Sequence, residues 1–217
     1  RIELFGGGRL AVIDDFQSQP SLERSSSGGE VLRSAGLAEL REGRLDDANN
    51  SFTDSAGDVM NGMTFAGPGD TSAGAVLQWN ATDEWLMFEV PAGARDLTGP
   101  WTLSFRAAQA ARHSLTIAET GDLDFEVQLT DANQKSSTIR ISAYGGGIEE
   151  PYQRGGCGAG NGWGNEFETI RIPAADFRRD GNPLDLTNVV SLTFLFGPTH
   201  GSLAGRIGLD QLEFVRN

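Results

Sequence analysis

Three carboxylates alternate along one segment of the sequence in a pattern that two-carboxylate chemistry could use. Asp122, Asp124 and Glu126 occupy every second position, so in a strand they would point to the same face. Neighbours would lie about 6.5–7 Å apart, a separation that glycosidases can use. Glu149 and Glu150 could supply a second group. A glycan-active hydrolase or lyase is therefore one alternative, and an acidic strand edge facing solvent is the other.

Other catalytic patterns are missing from the sequence. It has two histidines, His113 and His200, and no G-x-S-x-G nucleophile motif. His200 lies in "GPTHGS", which predicts a surface turn. The single Cys157 has no histidine nearby in sequence, which favours a small packing residue, and the Cys/His spacing of a zinc site is absent. The acid-rich motif of jelly-roll glucanases and the Arg- and His-containing motifs of polysaccharide lyases are not matched either.

A glycine-rich segment, "YGGGIEEPYQRGGCGAGNGWGNEF", runs from residue 144 to residue 167 between two strand patterns. It carries Tyr152, Arg154 and Trp163 on a connection much longer than the usual roughly 4–6 residues. Aromatic rings offer flat apolar faces that stack on sugar rings, and charged side chains bind hydroxyls. The segment therefore predicts one side of a glycan-binding cleft. The alternative is that Trp163 fills the end of the hydrophobic core.

The elements that must position these groups are strands. Alternating patterns at "EWLMFEV", "WTLSFRA", "DFEVQLT", "STIRISAY" and "VVSLTFLF" predict one buried face each, the last burying Val190, and "DANQ" predicts a hairpin turn. Trp79 and Trp101 are expected in the core, whereas Trp85 falls on the outward parity. Residues 21–43 predict at most a turn or two of helix. We expect an all-β antiparallel sandwich or jelly roll with about ten strands and little helix.

The outward strand positions predict a polar sheet face that could bind a ligand. Its candidate ligand-binding residues are Arg106, Glu126, Gln128 and Arg140, with Arg171 on a similar position and Trp85 as a secondary candidate. We expect them to lie on one sheet, beneath the glycine-rich segment. The alternative is an ordinary solvated face with cross-strand ion pairs such as Glu126 with Arg140.

Composition limits the function classes. The 217 residues carry a net charge of −13, which repels phosphate backbones and makes nucleic acid an unsuitable partner. No apolar run is long enough to span a membrane. We expect residues 1–10 to be a linker tail and residues 11–217 to form a single domain. The first residue is Arg1 and no signal-peptide pattern follows, which indicates a processed product or a domain of a longer protein.

Three stretches carry a family resemblance: "AVIDDF" near the start, "ETIRIPAADF" late in the chain and "GRIGLDQLEFV" at its end. Together they resemble the galactose-binding-like jelly-roll domains, as in bacterial carbohydrate-binding modules. The resemblance implies a non-catalytic accessory module of a secreted protein, extracellular or periplasmic, with a polysaccharide or oligosaccharide as partner. A structural domain that docks on a neighbouring catalytic domain and a protein–protein assembly module remain alternatives.

The resemblance also implies a structural Ca²⁺ where the first and last strands meet. The matching positions are Asp14, Asp15 and Asp210. The strand parity slips at Asp210 and Gln211, which predicts a bulge. A carboxylate at a bulge beside a second acidic strand end is a suitable oxygen site for a hard cation, although these residues could equally start turns.

Overall fold

The computed structural model describes residues 10–16, 23–46, 51–53, 59–61, 63–64, 73–109, 121–150, 152–153, 163–178 and 184–216. For residues 10, 38–46, 51–53, 59–61, 63–64, 73, 152–153 and 163–166 only the backbone is described. The helices within these ranges are short 3₁₀ turns at Ala92–Ala94, Ile141–Tyr144 and Ala174–Arg178. In this part of the chain no helix has the length and apolar character that crossing a bilayer requires.

Strands make up most of the described chain. Their bounds are β1 (Leu10–Asp14), β2 (Val31–Arg33), β3 (Ala38–Asp46), β4 (Ser51–Thr53), β5 (Val59–Asn61), β6 (Met63–Thr64), β7 (Ala73–Asn80), β8 (Glu84–Glu89), β9 (Trp101–Gln109), β10 (Glu126–Asp131), β11 (Ser136–Arg140), β12 (Tyr152–Gln153), β13 (Trp163–Glu166), β14 (Glu168–Pro173), β15 (Val189–Phe196) and β16 (Ala204–Arg216). The larger sheet has the order β14-β9-β16-β7-β3-β4-β5, with β1 paired to β16, and the smaller sheet has the order β11-β10-β15-β8-β2. A third, small sheet has the order β12-β13-β6. The predicted all-β sandwich is confirmed.

Aromatic side chains fill the space between the two main sheets. Phe105 of the larger sheet meets Phe194 of the smaller sheet edge to face, with ring centroids 5.3 Å apart. Trp79 stacks on Phe196 at 4.7 Å and donates its indole N–H to the carbonyl oxygen of Ser202 at 3.0 Å. Trp79 and Trp101 are both buried, as predicted. Each strand alternates because its inward side chains join this core and its outward ones do not.

The predicted hairpin is formed by β10 and β11 around residues 131–135. The buried carboxylate of Asp131 closes its turn by accepting the backbone N–H groups of Asn133 at 2.8 Å and Lys135 at 3.0 Å. Its second oxygen accepts the N–H of Asp185 at 3.0 Å. One side chain therefore joins the hairpin to the segment that leads into β15.

Two local predictions are wrong. Residues 21–43 contain β2 and part of β3 rather than helical turns. Gly29 lies against the carbonyl oxygen of Glu89, which a Cβ would approach to 2.8 Å. The absence of a side chain at Gly29 therefore allows the chain to turn tightly and return along β8 as strand β2. In β15, Val189 is buried and Val190 is half-buried, because the pairing of β10 with β15 shifts between Thr130 and Asp131.

The predicted bulge in the last strand is confirmed. The pairing of β16 with β9 shifts between Asp210 and Glu213, and Gln211 has a φ of 50°. Leu209 and Leu212 are consequently both buried on the core side although three positions separate them. At the other end of the chain, β1 begins at Leu10, and the rest of the predicted linker tail lies outside the described residues.

Candidate functional site

The outward side of the smaller sheet presents a continuous surface, which we call the open face. It consists of Leu32, Trp85, Met87, Glu89, Glu126, Gln128, Thr130, Ser136, Thr138, Arg140, Ser191, Thr193 and Leu195. All are half-buried or exposed apart from Thr193, which is 9% exposed. The face therefore offers side chains from five neighbouring strands to solvent.

Register places the apolar and polar members of the open face side by side. One cross-strand row runs Trp85, Leu195, Glu126 and Arg140. The next row runs Leu32, Met87, Thr193, Gln128 and Thr138. In these two rows the β2–β8 side is apolar and the β10–β11 side is polar, whereas Glu89 of β8 lies in a third row opposite Ser191. An apolar platform beside hydrogen-bonding groups suits the two kinds of surface that a sugar ring presents.

Trp85 is fixed by the chain that follows β2. Its backbone N–H donates to Ser34 Oγ at 3.0 Å, and its carbonyl oxygen accepts the Ser34 N–H at 3.0 Å. Ser34 in turn donates its hydroxyl hydrogen to the buried carboxylate of Glu84, which also accepts from Thr82 Oγ1 at 2.7 Å. These bonds hold the strand end that carries the half-buried indole, so Trp85 is displayed from a rigid position.

Charged side chains gather at one end of the open face, and we call Asp124, Glu126, Arg140 and His200 the Arg140 cluster. Arg140 Nη2 lies 3.5 Å from Glu126 Oε1, and Arg140 Nε lies 3.8 Å from Asp124 Oδ2. Glu126 Oε2 is also hydrogen-bonded to His200 Nδ1 at 2.7 Å. The cross-strand pair of Glu126 with Arg140, which the alternative of an ordinary solvated face predicts, is therefore present, and it belongs to a larger group that includes the turn residue His200.

Hydrogen bonds between side chains order the polar half of the face. Gln128 Nε2 donates to Thr138 Oγ1 at 3.0 Å. The hydroxyl groups of Thr130 and Ser136 lie 2.8 Å apart in the next cross-strand pair. Each of these groups retains further donor or acceptor capacity toward a ligand.

The prediction that one sheet carries all the polar candidates is wrong. Trp85, Glu126, Gln128 and Arg140 belong to the open face, but Arg106 lies on β9 of the larger sheet. There Arg106 Nη1 pairs with Asp210 Oδ2 at 3.6 Å, and its guanidinium carbon lies 5.2 Å from the ring centre of Phe167. The outward faces of a sandwich point in opposite directions, so Arg106 and the open face cannot share one ligand site.

The glycine-rich segment is described in part. Gln153 pairs with Trp163 and Tyr152 pairs with Gly164, so the backbones of Tyr152 and Trp163 belong to the small third sheet. The other edge of β13 pairs with β6. Arg154 and Cys157 lie outside the described residues. Whether the two rings form a ligand-binding lip therefore stays a prediction.

The carboxylates of the predicted calcium site have other partners. Asp14 is buried, and its Oδ1 accepts the N–H groups of Phe16 at 2.9 Å and Ser26 at 3.1 Å. Burial raises the pKa of Asp14 despite these hydrogen bonds. The backbone N–H of Asp15 donates to Ser26 Oγ at 2.9 Å, and Asp210 pairs with Arg106. In the described ranges no three His, Cys, Asp or Glu side chains form a group that could hold a metal ion, and calcium binding at Asp14, Asp15 and Asp210 stays a prediction.

Two of the carboxylates considered for catalysis, Asp122 and Asp124, accept hydrogen bonds from nearby chain segments. Asp122 accepts the N–H of Glu150 at 3.0 Å, and Asp124 accepts the N–H and hydroxyl of Ser142 at 3.1 and 2.8 Å. Glu168 accepts the N–H of Glu149 at 2.6 Å. Burial raises the pKa of Glu168, and the charges of Glu149 and Asp122 add to that effect. Strand β10 begins only at Glu126, so Asp122 and Asp124 precede it. Their hydrogen bonds to Glu150 and Ser142 organise the chain around the start of the glycine-rich segment.

The chain has an antiparallel jelly-roll sandwich that is similar in fold to a bacterial carbohydrate-binding module. No family model and no curated protein matches the sequence. Among solved structures, the chain is similar to the family 30 carbohydrate-binding module of a cellulosomal cellulase of Clostridium thermocellum, with a TM-score of 0.52 and 15% identity over 95% of this chain and 96% of that one.

Two further structures show a similar architecture. One is an exo-β-agarase, with a TM-score of 0.50 and 12% identity over 95% of this chain and 25% of the agarase chain. The other is a family 11 module from Clostridium thermocellum in complex with a β-1,3-1,4-mixed-linked tetrasaccharide, with a TM-score of 0.48 and 14% identity over 95% of each chain. At these identities the likeness establishes the fold and not the ligand.

Proposed function

We propose that this protein is a non-catalytic carbohydrate-binding module that binds a polysaccharide or oligosaccharide on the open face. One observation carries the proposal: the half-buried Trp85 lies in the same cross-strand row as the polar pair Glu126 and Arg140. The likeness in fold to carbohydrate-binding modules supports it. One sugar unit would stack on Trp85 while hydroxyls of neighbouring units exchange hydrogen bonds with Gln128, Glu126 and Arg140.

The indole of Trp85 should provide much of the binding energy. Aromatic rings bury a large apolar area on binding, and their two side-chain torsions cost little entropy to fix. Because the Ser34 bonds already hold the Trp85 backbone, little further ordering is needed when a sugar binds. We expect Trp85→Ala to weaken binding at least about tenfold, which corresponds to about 1.4 kcal/mol.

Affinity electrophoresis in gels that contain a neutral glucan, a galactomannan or agarose tests the proposal. The wild type should be retarded by at least one polymer, Trp85→Ala should lose that retardation, and Trp85→Tyr should keep most of it. Arg171→Ala, an exposed arginine on β14 of the larger sheet, is the matched control and should bind normally. Wild type that no polymer retards, or Trp85→Ala that binds like wild type, would contradict the proposal.

A further set of three variants tests the glycine-rich segment. Trp163→Ala and Tyr152→Ala should weaken binding if the segment leans over the ligand, and Arg154→Ala should do so by removing a hydroxyl-binding group. Normal binding by all three, with Trp85→Ala defective, would confine the site to the open face.

A second candidate is a structural accessory domain that docks on a neighbouring catalytic domain. The match to the exo-β-agarase favours it, because this fold accounts for a quarter of that enzyme chain. If the polymers do not retard the protein but its co-expression raises the melting temperature of an adjoining enzyme domain, the docking function is supported. Retention on a polymer without any such effect supports the binding module.

We also propose an extracellular or periplasmic location, supported by the cellulosomal origin of the similar family 30 module. Detection of the native protein in the culture medium or periplasmic fraction tests this location.

Calcium stays a prediction with its own test. A structural ion would make the melting temperature fall on addition of a chelator, since an ion that binds only the folded state stabilises it. A melting temperature that the chelator leaves unchanged would show that no structural calcium ion is bound.

A further inference from the structure

The charge balance of the open face is negative at the end where Arg140 lies. Arg140 is the cation of its cluster, and it faces two carboxylates, Asp124 and Glu126. Its Nη2 also donates to the carbonyl oxygen of Thr199 at 3.5 Å. Two of the three nitrogens of Arg140, Nε and Nη2, therefore face acceptors of the protein itself.

A third carboxylate lies beside this group. Asp83 accepts the N–H of Thr199 at 3.0 Å and the Thr199 hydroxyl at 2.5 Å. The hydroxyl and N–H of Thr199 lower the pKa of Asp83, so its carboxylate is charged at neutral pH. Asp83 precedes β8, which carries Trp85. Carboxylates thus flank both the polar end and the aromatic end of the first cross-strand row.

Given the proposed function, we infer that the Arg140 cluster makes the open face selective for uncharged glycans and excludes polysaccharides built of uronic acids. Sugar hydroxyls can donate to Glu126 and Asp124, whereas a uronate carboxylate would meet like charges there. The guanidinium of Arg140, which would otherwise pair with a uronate carboxylate, already pairs with Asp124 and Glu126. The overall charge of −13 adds a repulsion that acts before contact.

The experiment compares two polymers that share one backbone, hydroxyethylcellulose and carboxymethylcellulose, together with galactomannan and its carboxymethylated form. Affinity electrophoresis at low ionic strength should show the wild type bound about tenfold more tightly to each neutral polymer than to its acidic form. The discrimination should shrink as salt is added, since salt screens exposed charges.

Charge removal at the cluster should reduce the selectivity. The double variant Asp124→Asn/Glu126→Gln exposes the Arg140 charge and should bring binding of the acidic form to within about threefold of the neutral form. The control Glu23→Gln/Asp96→Asn removes the same charge from exposed positions outside the open face and the glycine-rich segment and should keep the wild-type ratio. Thermal unfolding of each variant establishes that the comparison is between folded proteins.

Three outcomes separate the possibilities. Equal binding of neutral and acidic polymers by the wild type would overturn the inference while leaving the proposed function intact. An equal gain from the control variant would also overturn it, because the selectivity would then come from net charge and not from the Arg140 cluster. Binding of neither kind of polymer would refute the proposed function and the inference with it.

Discussion

The outward faces of the two main sheets come from similar strand patterns, yet the face of the smaller sheet is open, whereas that of the larger sheet is covered around β7, β9 and β16. On the larger sheet, Val76, Ala108, Arg206 and Asp210 point away from the core and are at most 1% exposed. On the smaller sheet, the outward residues of β8, β10 and β11 are half-buried or exposed. Alternation in sequence therefore identifies which side of a strand faces the core, but not what covers the other side.

Charged groups have different roles on the two faces. On the covered face, Asp210 is 0% exposed and pairs with Arg106, and Arg206 donates to Gln78 Oε1 at 2.9 Å. On the open face, the side chain of Arg140 is 46% exposed and that of Glu126 is 21% exposed. A buried charge must be compensated by partners, whereas an exposed one remains hydrated and available. The covered face is a structural element, whereas the charged groups of the open face remain in contact with solvent.

The largest effect should come from breaking an ion pair on the covered face. Asp210→Ala removes the partner of Arg106, whose side chain is only 22% exposed, and leaves its charge poorly solvated. We expect a loss of about 3 kcal/mol in the free energy of unfolding, measured by urea denaturation. The conservative variant Asp210→Asn should lose less, because it keeps an oxygen near Arg106. A loss in unfolding free energy below about 1 kcal/mol would mean that water solvates Arg106 and Asp210 more than their burial indicates.

Much of the fold could be predicted because its signals are local. Alternation located β8, β9, β10, β11 and β15, and a break in parity located the bulge at Asp210. Strand β2 was missed because "VLR" is too short to show alternation, and its pairing with β8 depends on a tight turn at Gly28 and Gly29. The inward residue of β15 was misplaced by one position because a register shift leaves no trace in the sequence of that strand.

The candidate site was harder to predict because its members are joined by pairing between strands. The outward parity of Trp85 and the pair of Glu126 with Arg140 followed from alternation and the hairpin register. Arg106 has the same outward parity, but the topology places it on the opposite side of the sandwich. Two further groups needed the structure. Ser34 contacts Trp85 from another strand connection, and His200 reaches Glu126 from a turn 74 residues away.

An intermediate effect is expected at Asp131, which lies on the smaller sheet but points away from the open face. Its buried carboxylate accepts three backbone N–H groups, so Asp131→Asn places an amide donor against donors. We expect a loss of about 2 kcal/mol at pH 7 in urea denaturation. Asp185→Asn is the control, since its carboxylate caps an exposed turn at Thr187.

The same carboxylate should make stability depend on pH. Burial raises the pKa of Asp131, but the N–H groups of Asp185, Lys135 and Asn133 and the charge of Lys135 lower it to below its usual 3.8. A lowered folded-state pKa means that the stabilisation is present above the unfolded-state pKa and is lost as pH falls through the folded-state value. The difference between wild type and Asp131→Asn should therefore narrow below about pH 4. A difference that stays constant down to pH 2 would contradict this account.

The smallest effect should come from the open face, where Glu126→Ala removes one partner of the pair with Arg140. Both side chains remain partly exposed, so water replaces the lost interaction. We expect the coupling free energy from a Glu126→Ala and Arg140→Ala double-mutant cycle to stay below about 1 kcal/mol and to weaken in high salt. The hydrogen bond to His200 does not change this expectation, because that ring is itself 25% exposed. A coupling as large as the loss at Asp210 would erase the contrast between the two faces, since the open face would then be a structural element as well.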